Sequence, residues 1–412
     1  MISESKDRIG RLNEFVLSCK SKDSPYYSSV PNGEGNLYAT CYAVSIFHYI
    51  GEELDDIEEI SENILNCQES KTGNFIGPEL ENFIPKENSV HSLSHIQDHL
   101  NCTVLGVLGI LGKKPRFPLY TAHSYCNQQF LKQQLDKIDW KLAWLEGNNL
   151  LFIGQYLIFL RDVEELPEAN NCLKLLFDWL DSQLDPNTGC WGTNGYCDSY
   201  NAIYGGYHQL LLYYYEKRTI LFTDKLLDTT LGLQYFDGGF ARHKGGGACE
   251  DVDAVDILVN LTKITEYKRA IVYESLVQCK KHLLNLQNSD GGFPYSNHRS
   301  VSQMGLPKTF AEANESNLFS TWFRCHTLSL ISEILIDHPD LDAWRLNYNP
   351  TLSMGWHRHG LPSNYKKPGL YERIFAKGFL KLRFFVLVLR GIKNNIRRKL
   401  TSIWRRLKSK DV

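Results

Sequence analysis

Apolar residues recur three or four positions apart over most of the chain, while the alternation that marks strands is scarce. Two segments, 36–51 and 145–160, are apolar on more than one helical face, as is typical of helices buried on all sides. The pattern therefore predicts an all-α protein in which an outer layer of helices encloses an inner one. Between residues 68 and 125 the pattern is weaker and predicts long loops with short helices.

A repeated unit organises the middle of the chain. Its copies are WLDSQLDPNTGCWG from Trp179, LGLQYFDGGF from Leu231 and LLNLQNSDGGF from Leu283. Each copy is consistent with a helix that ends at a glutamine, a turn that contains glycine, an aromatic residue and a second helix. The period of about 50 residues suits a helix pair with sizeable loops, and the clearest repeats lie between 170 and 340.

The polar residues of the repeat are predicted to be structural. Gln234, Asp237, Gln287 and Asp290 stand where helices end, and backbone groups at helix ends lack partners within the helix. We expect these four side chains to bond such groups. An aromatic residue covers each turn, namely Trp191, Phe240 and Phe293.

These repeats resemble the motif of the prenyltransferase and squalene-cyclase superfamily, in which a Gln, an Asp-Gly turn and an aromatic ring join neighbouring helix pairs. The resemblance covers residues from roughly 130 to 360. It implies an α/α toroid, a closed barrel of paired inner and outer helices, rather than an open solenoid. The superfamily includes terpene cyclases, protein prenyltransferase β-subunits and non-catalytic modules, so the fold does not fix the reaction.

Composition agrees with a globular protein, since 43% of the 412 residues are hydrophobic and 22% are charged. No linker rich in Pro or in Gly and Ser interrupts residues 1–365, which are predicted to form one toroid domain. The first residues are polar, and no apolar run reaches the ~18 residues of a membrane span. The eleven cysteines show no regular spacing. These features predict a cytoplasmic protein with free thiols.

Residues 366–412 form a separate, basic segment. It holds fifteen Lys and Arg against two acids, a net charge of +13, so residues 1–365 carry −15 of the overall −2. Apolar and basic residues interleave from Leu370 onwards, as in an amphipathic helix that lies in a membrane interface. We expect residues 370–408 to bind an anionic membrane surface at the inner leaflet, with docking on the acidic body as the alternative. Nucleic acid is not expected as a partner, because the apolar share is high.

Candidate chemistry follows the second repeat, in HKGGGACEDVDAVDIL from His243. If a helix starts near Asp251, Asp253 and Asp256 share one of its faces, and in a toroid that start looks into the central cavity. Neighbouring carboxylates raise one another's pKa, so the cluster can keep one of them protonated as a general acid. Asp251, Asp253 and Asp256 are therefore candidate catalytic residues. Glu250 and Asp251 also fit a helix start, which favours acidic side chains.

The segment Asp251-Val252-Asp253-Ala254 resembles the Asp-x-Asp-Asp motif of class II terpene cyclases, in which the middle aspartate protonates an alkene or an epoxide. The resemblance assigns that role to Asp253. Ala254 stands where the motif has its last aspartate. Those cyclases also place the site between two helical domains, whereas this chain is predicted to have one.

Further residues near the starts of inner helices are predicted to bind substrate in the same cavity. We expect Arg324 to bind an anionic group such as a diphosphate or a carboxylate. The full set is Asn201, Tyr204, His208, Trp322, Arg324 and His326.

No cofactor is predicted. The alternative is a zinc site of Cys249, Asp253 and His326, which would imitate the Asp, Cys and His ligands of protein prenyltransferase β-subunits. That family has the order Asp-x-Cys, whereas Cys249 precedes the acids here.

Three functions follow from these observations. The first is an enzyme that acts in the toroid cavity on an isoprenoid or lipid-linked substrate by carboxylate acid/base chemistry. The second is a carbohydrate-active enzyme, a lyase, epimerase or hydrolase that uses a pair of carboxylates on a lipid-linked or cell-surface glycan. The third is a non-catalytic scaffold in which the acids only stabilise helix starts.

Overall fold

The computed structural model describes residues 2–348 and 363–385, and the regular structure within them is helical. In chain order the helices are α1 (Ile2–Ser18), α2 (Leu37–Ile50), α3 (Ile57–Asn66), α4 (Leu93–Leu111), α5 (Tyr120–Ser124), α6 (Gln128–Leu135), α7 (Ala143–Asp162), α8 (Glu168–Gln183), α9 (Ser199–Tyr215), α10 (Thr223–Gly232), α11 (Ala248–Ile264), α12 (Arg269–Leu286) and α13 (Leu318–Ile334). A last helix, α14, covers residues 370–385. Short 3-10 segments are Trp140–Leu142, Gln303–Gly305, Pro307–Thr309 and Pro339–Trp344. The predicted all-α class is confirmed.

Within the described ranges, six helices form a closed inner ring. Helix α2 packs on α4, α4 on α7, α7 on α9, α9 on α11, α11 on α13, and α13 returns to α2. The outer layer consists of α1, α3, α5, α6, α8, α10 and α12, which pack against these inner helices or one another. Because the contacts return to the first inner helix, the described part of the chain is a toroid rather than an open solenoid.

Burial separates the two layers as the hydrophobic pattern indicates. The inner helix α2 buries twelve of its fourteen residues, whereas the outer helix α3 buries four of ten. The two segments that are apolar on several faces, 36–51 and 145–160, become the inner helices α2 and α7. An inner helix meets neighbours on both sides as well as an outer helix, so most of its faces require apolar residues.

The polar residues of the repeat bond the backbone, as the sequence predicts. In the second copy Gln234 Nε2 donates to the carbonyl of Ser275 in α12 (2.9 Å). Asp237 accepts a hydrogen bond from the N–H of Gly239 (3.0 Å). Asp290 accepts the equivalent N–H in the third copy (3.0 Å). These bonds tie each turn together and join it to the next helix pair.

The third copy also closes the ring. Gln287 Nε2 donates to the carbonyl of Arg8 in α1 (3.3 Å), and Arg8 Nη1 donates back to Gln287 Oε1 (2.9 Å). Gly291 has φ +93°, and a Cβ atom there would lie 2.2 Å from the carbonyl carbon of Arg11. Only glycine fits such a conformation and such a close approach. The motif thus joins the last helix pair to the first.

The expectation of loops and short helices between residues 68 and 125 is wrong in part. This region contains α4, a helix of 19 residues. A further copy of the turn precedes it, in which Gln68 Nε2 donates to the carbonyls of Gly73 (2.8 Å) and Phe117 (2.8 Å). The copy is difficult to find in the sequence because it lacks the Asp-Gly-Gly of the copies that start at Leu231 and Leu283.

Residues 363–385 dock on the outside of the ring. Arg373 Nε donates to Glu274 Oε1 in α12 (3.1 Å), and Arg383 donates to two carbonyls at the end of α10 (2.6 Å each). The alternative of a tail docked on the acidic body therefore holds for this part. Residues 386–408 of the predicted amphipathic segment lie outside the described residues. No helix in the described ranges is long and apolar enough to cross a membrane.

Candidate active site

The centre of the ring encloses a cavity of about 440 Å³ with a mainly apolar surface. It lies among the first turns of α4, α7, α9, α11 and α13 and the loops before them. Its lining consists of Val90, His91, His95, His99, Lys141, Leu142, Trp144, Leu145, Asn148, Asn201, Tyr207, His208, Cys249, Asp253, Tyr295, Val301, Ser302, Gln303, Met304, Phe319 and Phe323.

The cavity joins the surface at the end of the ring where the inner helices begin. A second hollow of about 700 Å³, between the loops 78–91 and 302–308, shares His91, Ser302 and Met304 with it. Because both hollows touch the same three side chains, this end of the ring is the cavity mouth.

Asp253, the sixth residue of α11, reaches this cavity as the sequence predicts. Its side chain is buried, with 2% of the residue exposed. Oδ2 has no hydrogen-bond partner in the part of the chain that the structure describes. Burial raises the pKa of Asp253 well above its ordinary value, and the nearby carboxylates of Glu250, Asp256 and Asp251 raise it further. These effects all favour the protonated, uncharged form of Asp253.

Asp251 faces away from the cavity and forms a buried ion pair with Arg324. Arg324 Nη2 also donates to the carbonyls of Gly246 (2.9 Å) and Tyr295 (3.2 Å). Burial alone would raise the pKa of Asp251, but the charge of Arg324 and the nearby His282 ring, 3.7 Å away, hold it below the ordinary value. Asp251 is thus a carboxylate, and neither it nor Arg324 lines the cavity.

The position of Asp251 in the repeat explains this arrangement. Thr40, Asp251 and Thr321 are each the fourth residue of an inner helix. Thr40 Oγ1 accepts the N–H of Tyr27 (2.9 Å), and Thr321 Oγ1 accepts that of Phe293 (3.0 Å). Asp251 Oδ1 accepts the equivalent aromatic N–H in its own repeat (2.6 Å). This helix position therefore holds the preceding turn, and Asp251 fills it with a charge that Arg324 balances.

Asp256 shares the helix face of Asp253 but lies one turn deeper and does not line the cavity. Burial raises the pKa of Asp256 to about 7, against the opposing effects of Asn260 and Lys263. Its Oδ1 atom has no hydrogen-bond partner within the described ranges. Of the two aspartates on this face, Asp253 alone is placed to meet a ligand in the cavity.

Two of the six residues predicted to bind substrate, Asn201 and His208, line the cavity. Tyr204, one turn before His208, directs its hydroxyl to the carbonyl of Phe240 in the neighbouring turn (2.9 Å). That bond draws the Tyr204 side chain away from the centre.

Trp322 and His326 are buried outside the cavity lining. Phe319 and Phe323, on the adjacent face of α13, take the positions that look into the cavity. The Trp322 ring packs instead against Tyr42 of α2, with 5.0 Å between ring centroids. On α13 the cavity-lining residue is therefore Phe323 rather than its neighbour Trp322.

Sequence reasoning missed a row of histidines on the cavity wall. His91, His95 and His99 are spaced four residues apart, which places them on one side of the α4 start. Burial lowers the pKa of His95 to about 4. Burial also lowers the pKa of His208 to about 4, against the effect of hydrogen bonds to the backbone. His208 Nδ1 donates to the carbonyl of Tyr204 (2.8 Å), so Nε2 of the neutral ring can accept a proton.

Across the described residues, no three His, Cys, Asp or Glu side chains are arranged to hold a metal ion. The alternative zinc ligands, Cys249, Asp253 and His326, do not form such a group. Cys249 and Asp253 line the cavity, whereas His326 does not.

Comparison with known proteins agrees with the ring architecture. The family model described as the prenyltransferase alpha-alpha toroid domain matches residues 2–82 and 126–305, more than half of the chain. The gap between the two matched parts contains α4, where the repeat pattern is weakest. A search of curated proteins found no match. With its closed ring of six inner helices, the chain belongs to the prenyltransferase alpha-alpha toroid domain family.

Proposed function

We propose that the protein is an enzyme that acts on an isoprenoid or other lipid-linked substrate in the central cavity, with Asp253 as the general acid. One observation carries the proposal: a buried carboxyl group with a raised pKa and an unpaired oxygen faces a mainly apolar cavity. A protonated carboxyl in such a place can transfer its proton to a bound group. Apolar pockets with a few convergent polar groups are typical ligand sites.

The chemistry would begin with transfer of the Asp253 proton to an alkene carbon or an epoxide oxygen. The new bond leaves a carboxylate on Asp253 and a positive charge on a substrate carbon. Faces of aromatic rings attract cations, and Trp144, Tyr207 and Phe323 supply such faces along the wall. His208 Nε2 would accept the proton that the cationic intermediate finally loses. Proton exchange with water would then restore the protonated Asp253 and the neutral His208. These reaction steps require no cofactor.

The two other functions have less support. Glycoside hydrolysis usually needs two carboxyl groups on either side of the substrate. Among the described residues that line the cavity, Asp253 is the only carboxyl group. A scaffold would need no central space, whereas the ring encloses a cavity lined by a carboxyl group whose pKa is raised.

The test is turnover of an isoprenoid panel by the purified protein, with prenyl diphosphates, isoprenoid epoxides and lipid-linked sugars as candidates. Products would be identified by mass spectrometry. Leu145 lines the cavity, so Leu145→Trp should block it and abolish conversion. Leu221 is a half-exposed surface residue, and Leu221→Trp is the matched control that should convert substrate normally. Equal conversion by both variants would exclude the central cavity as the site.

A further inference from the structure

Helix α14 presents a row of apolar side chains to solvent. The exposed residues are Tyr371, Ile374, Phe375, Phe379, Leu382 and Phe385. Tyr371 and Phe375 are 88% and 81% exposed, respectively. A continuous row of large exposed side chains marks an interaction surface rather than the scattered apolar residues of an ordinary surface.

The opposite face of α14 is fixed to the ring. Ala376 and Leu380 are buried against the body. The Arg373 guanidinium lies 4.2 Å from the ring centroid of Tyr273 and donates to Glu274 (3.1 Å). These contacts on α12 orient the helix, so its exposed row points outward and is not free to turn inward.

Charge indicates what this surface meets. Residues 363–385 contain six Lys and Arg and one acid, and residues 386–412 add nine Lys and Arg and one acid. The rest of the chain is acidic, so the body offers no general attraction for anions. A partner must therefore combine an apolar layer with negative charge. An anionic lipid bilayer combines both, and basic residues near it contribute about 1 kcal/mol each.

The path of α14 places this surface relative to the cavity. The helix starts beside the beginning of α12 and ends where Arg383 bonds the last carbonyls of α10. Helix α10 leads into the turn that precedes α11, so its end lies at the cavity mouth. The last turn of α14 thus reaches the same end of the ring as the opening.

We propose that the exposed row of α14 inserts into the interface of an anionic membrane. Together with the flanking lysines Lys377 and Lys381, it attaches the side of the ring to the membrane surface, and the last turn of α14 lies at the end of the ring that holds the cavity mouth. The proposal concerns binding alone and does not depend on the chemistry of Asp253. A second copy of the chain and nucleic acid are the competing occupants.

Flotation of the full chain with vesicles tests the proposal. Phosphatidylcholine vesicles with phosphatidylglycerol should carry the protein upward, and pure phosphatidylcholine vesicles should carry much less. The double variant Tyr371→Ser and Phe375→Ser should weaken binding by about tenfold or more, because two large apolar groups no longer leave water. Lys377→Glu should weaken binding only where the anionic lipid is present.

A matched control removes an exposed apolar side chain elsewhere. Ile57 is 43% exposed in α3, which packs on α4 across the ring from α11, so Ile57→Ser should float like the wild type. Circular dichroism would establish that every variant is folded. Equal flotation of the wild type and the Tyr371 and Phe375 variant would overturn the proposal. So would a dimer that this variant dissociates in the absence of lipid, or RNA binding that this variant abolishes.

Discussion

Replacement of Asp253 by asparagine separates chemistry from structure at the proposed site. The two side chains have nearly the same shape, and the raised pKa of Asp253 favours its protonated form, which the neutral amide resembles. Apart from the stability that the wild type loses above about pH 4, where unfolded Asp253 releases its proton, the free energy of unfolding should therefore change by no more than about 1 kcal/mol, the scale of one hydrogen bond. Turnover should behave differently, because the amide has no acidic proton to give.

The expected loss is that of one general acid, about 10²–10⁴-fold in kcat. This corresponds to roughly 3–5 kcal/mol of transition-state stabilisation. The assay follows product formation from the isoprenoid that the wild type converts, under single-turnover and steady-state conditions. Substrate affinity, measured by quenching of tryptophan fluorescence, should remain close to that of the wild type. In the wild type, turnover should fall as the pH rises through the raised pKa of Asp253.

Asp256→Asn is the matched control for this experiment. It removes an equally buried carboxyl group one turn deeper that does not line the cavity, and it should leave turnover close to normal. Undiminished turnover in folded Asp253→Asn would refute the assignment of Asp253 as the acid. Loss of turnover in both variants would mean that the two carboxyl groups act as a pair.

Three further predictions concern stability, each measured by denaturant unfolding. Arg324→Met should lower the free energy of unfolding by about 3–5 kcal/mol, because Asp251 would remain as a buried charge without its partner. Adding Asp251→Asn should recover part of that loss. Since the pKa of Asp256 is raised to about 7, the folded state keeps this proton after the unfolded state releases it. The free energy of unfolding of the wild type should therefore fall by roughly 4 kcal/mol between about pH 4 and 7, relative to that of Asp256→Asn. Gly291→Ala should destabilise the protein by about 2–4 kcal/mol through its positive φ and its clash with α1, whereas Gly232→Ala, which meets open space, should be neutral or stabilising.

The sequence predicts the architecture well because the architecture depends on patterns between residues that are close in the chain. Helical spacing of apolar residues and the Gln to Asp-Gly turn are short-range features. Gln234 and Gln287 bond turns only a few residues away as well as the next helix pair. The sequence pattern does not reveal the weak copy at Gln68, because its turn residues differ. Its glutamine nevertheless donates to a carbonyl in its own turn and to one beyond it, like the other glutamines.

The sequence predicts the candidate site less completely, because the geometry of the site depends on contacts between residues that are far apart in the chain. Asp253 was placed correctly, since a helix start in an inner ring must face the centre. The role of Asp251 depends on Arg324, which is 73 residues away, and no spacing rule relates the two. Trp322 and Phe323 are adjacent, and the packing of α13 on α2 decides which of them reaches the cavity.

The bonds between Gln287, Gly291 and α1 have a consequence for how the molecule unfolds. A linear array of repeats has two exposed ends, which fray independently and need special end units. In this ring each helix pair has a neighbour on both sides, so loss of any pair exposes two interfaces at once. Unfolding of the toroid should therefore be cooperative around the whole circle. For the same reason, a circularly permuted chain, in which the original ends are joined and another surface turn is opened, should fold into the same ring.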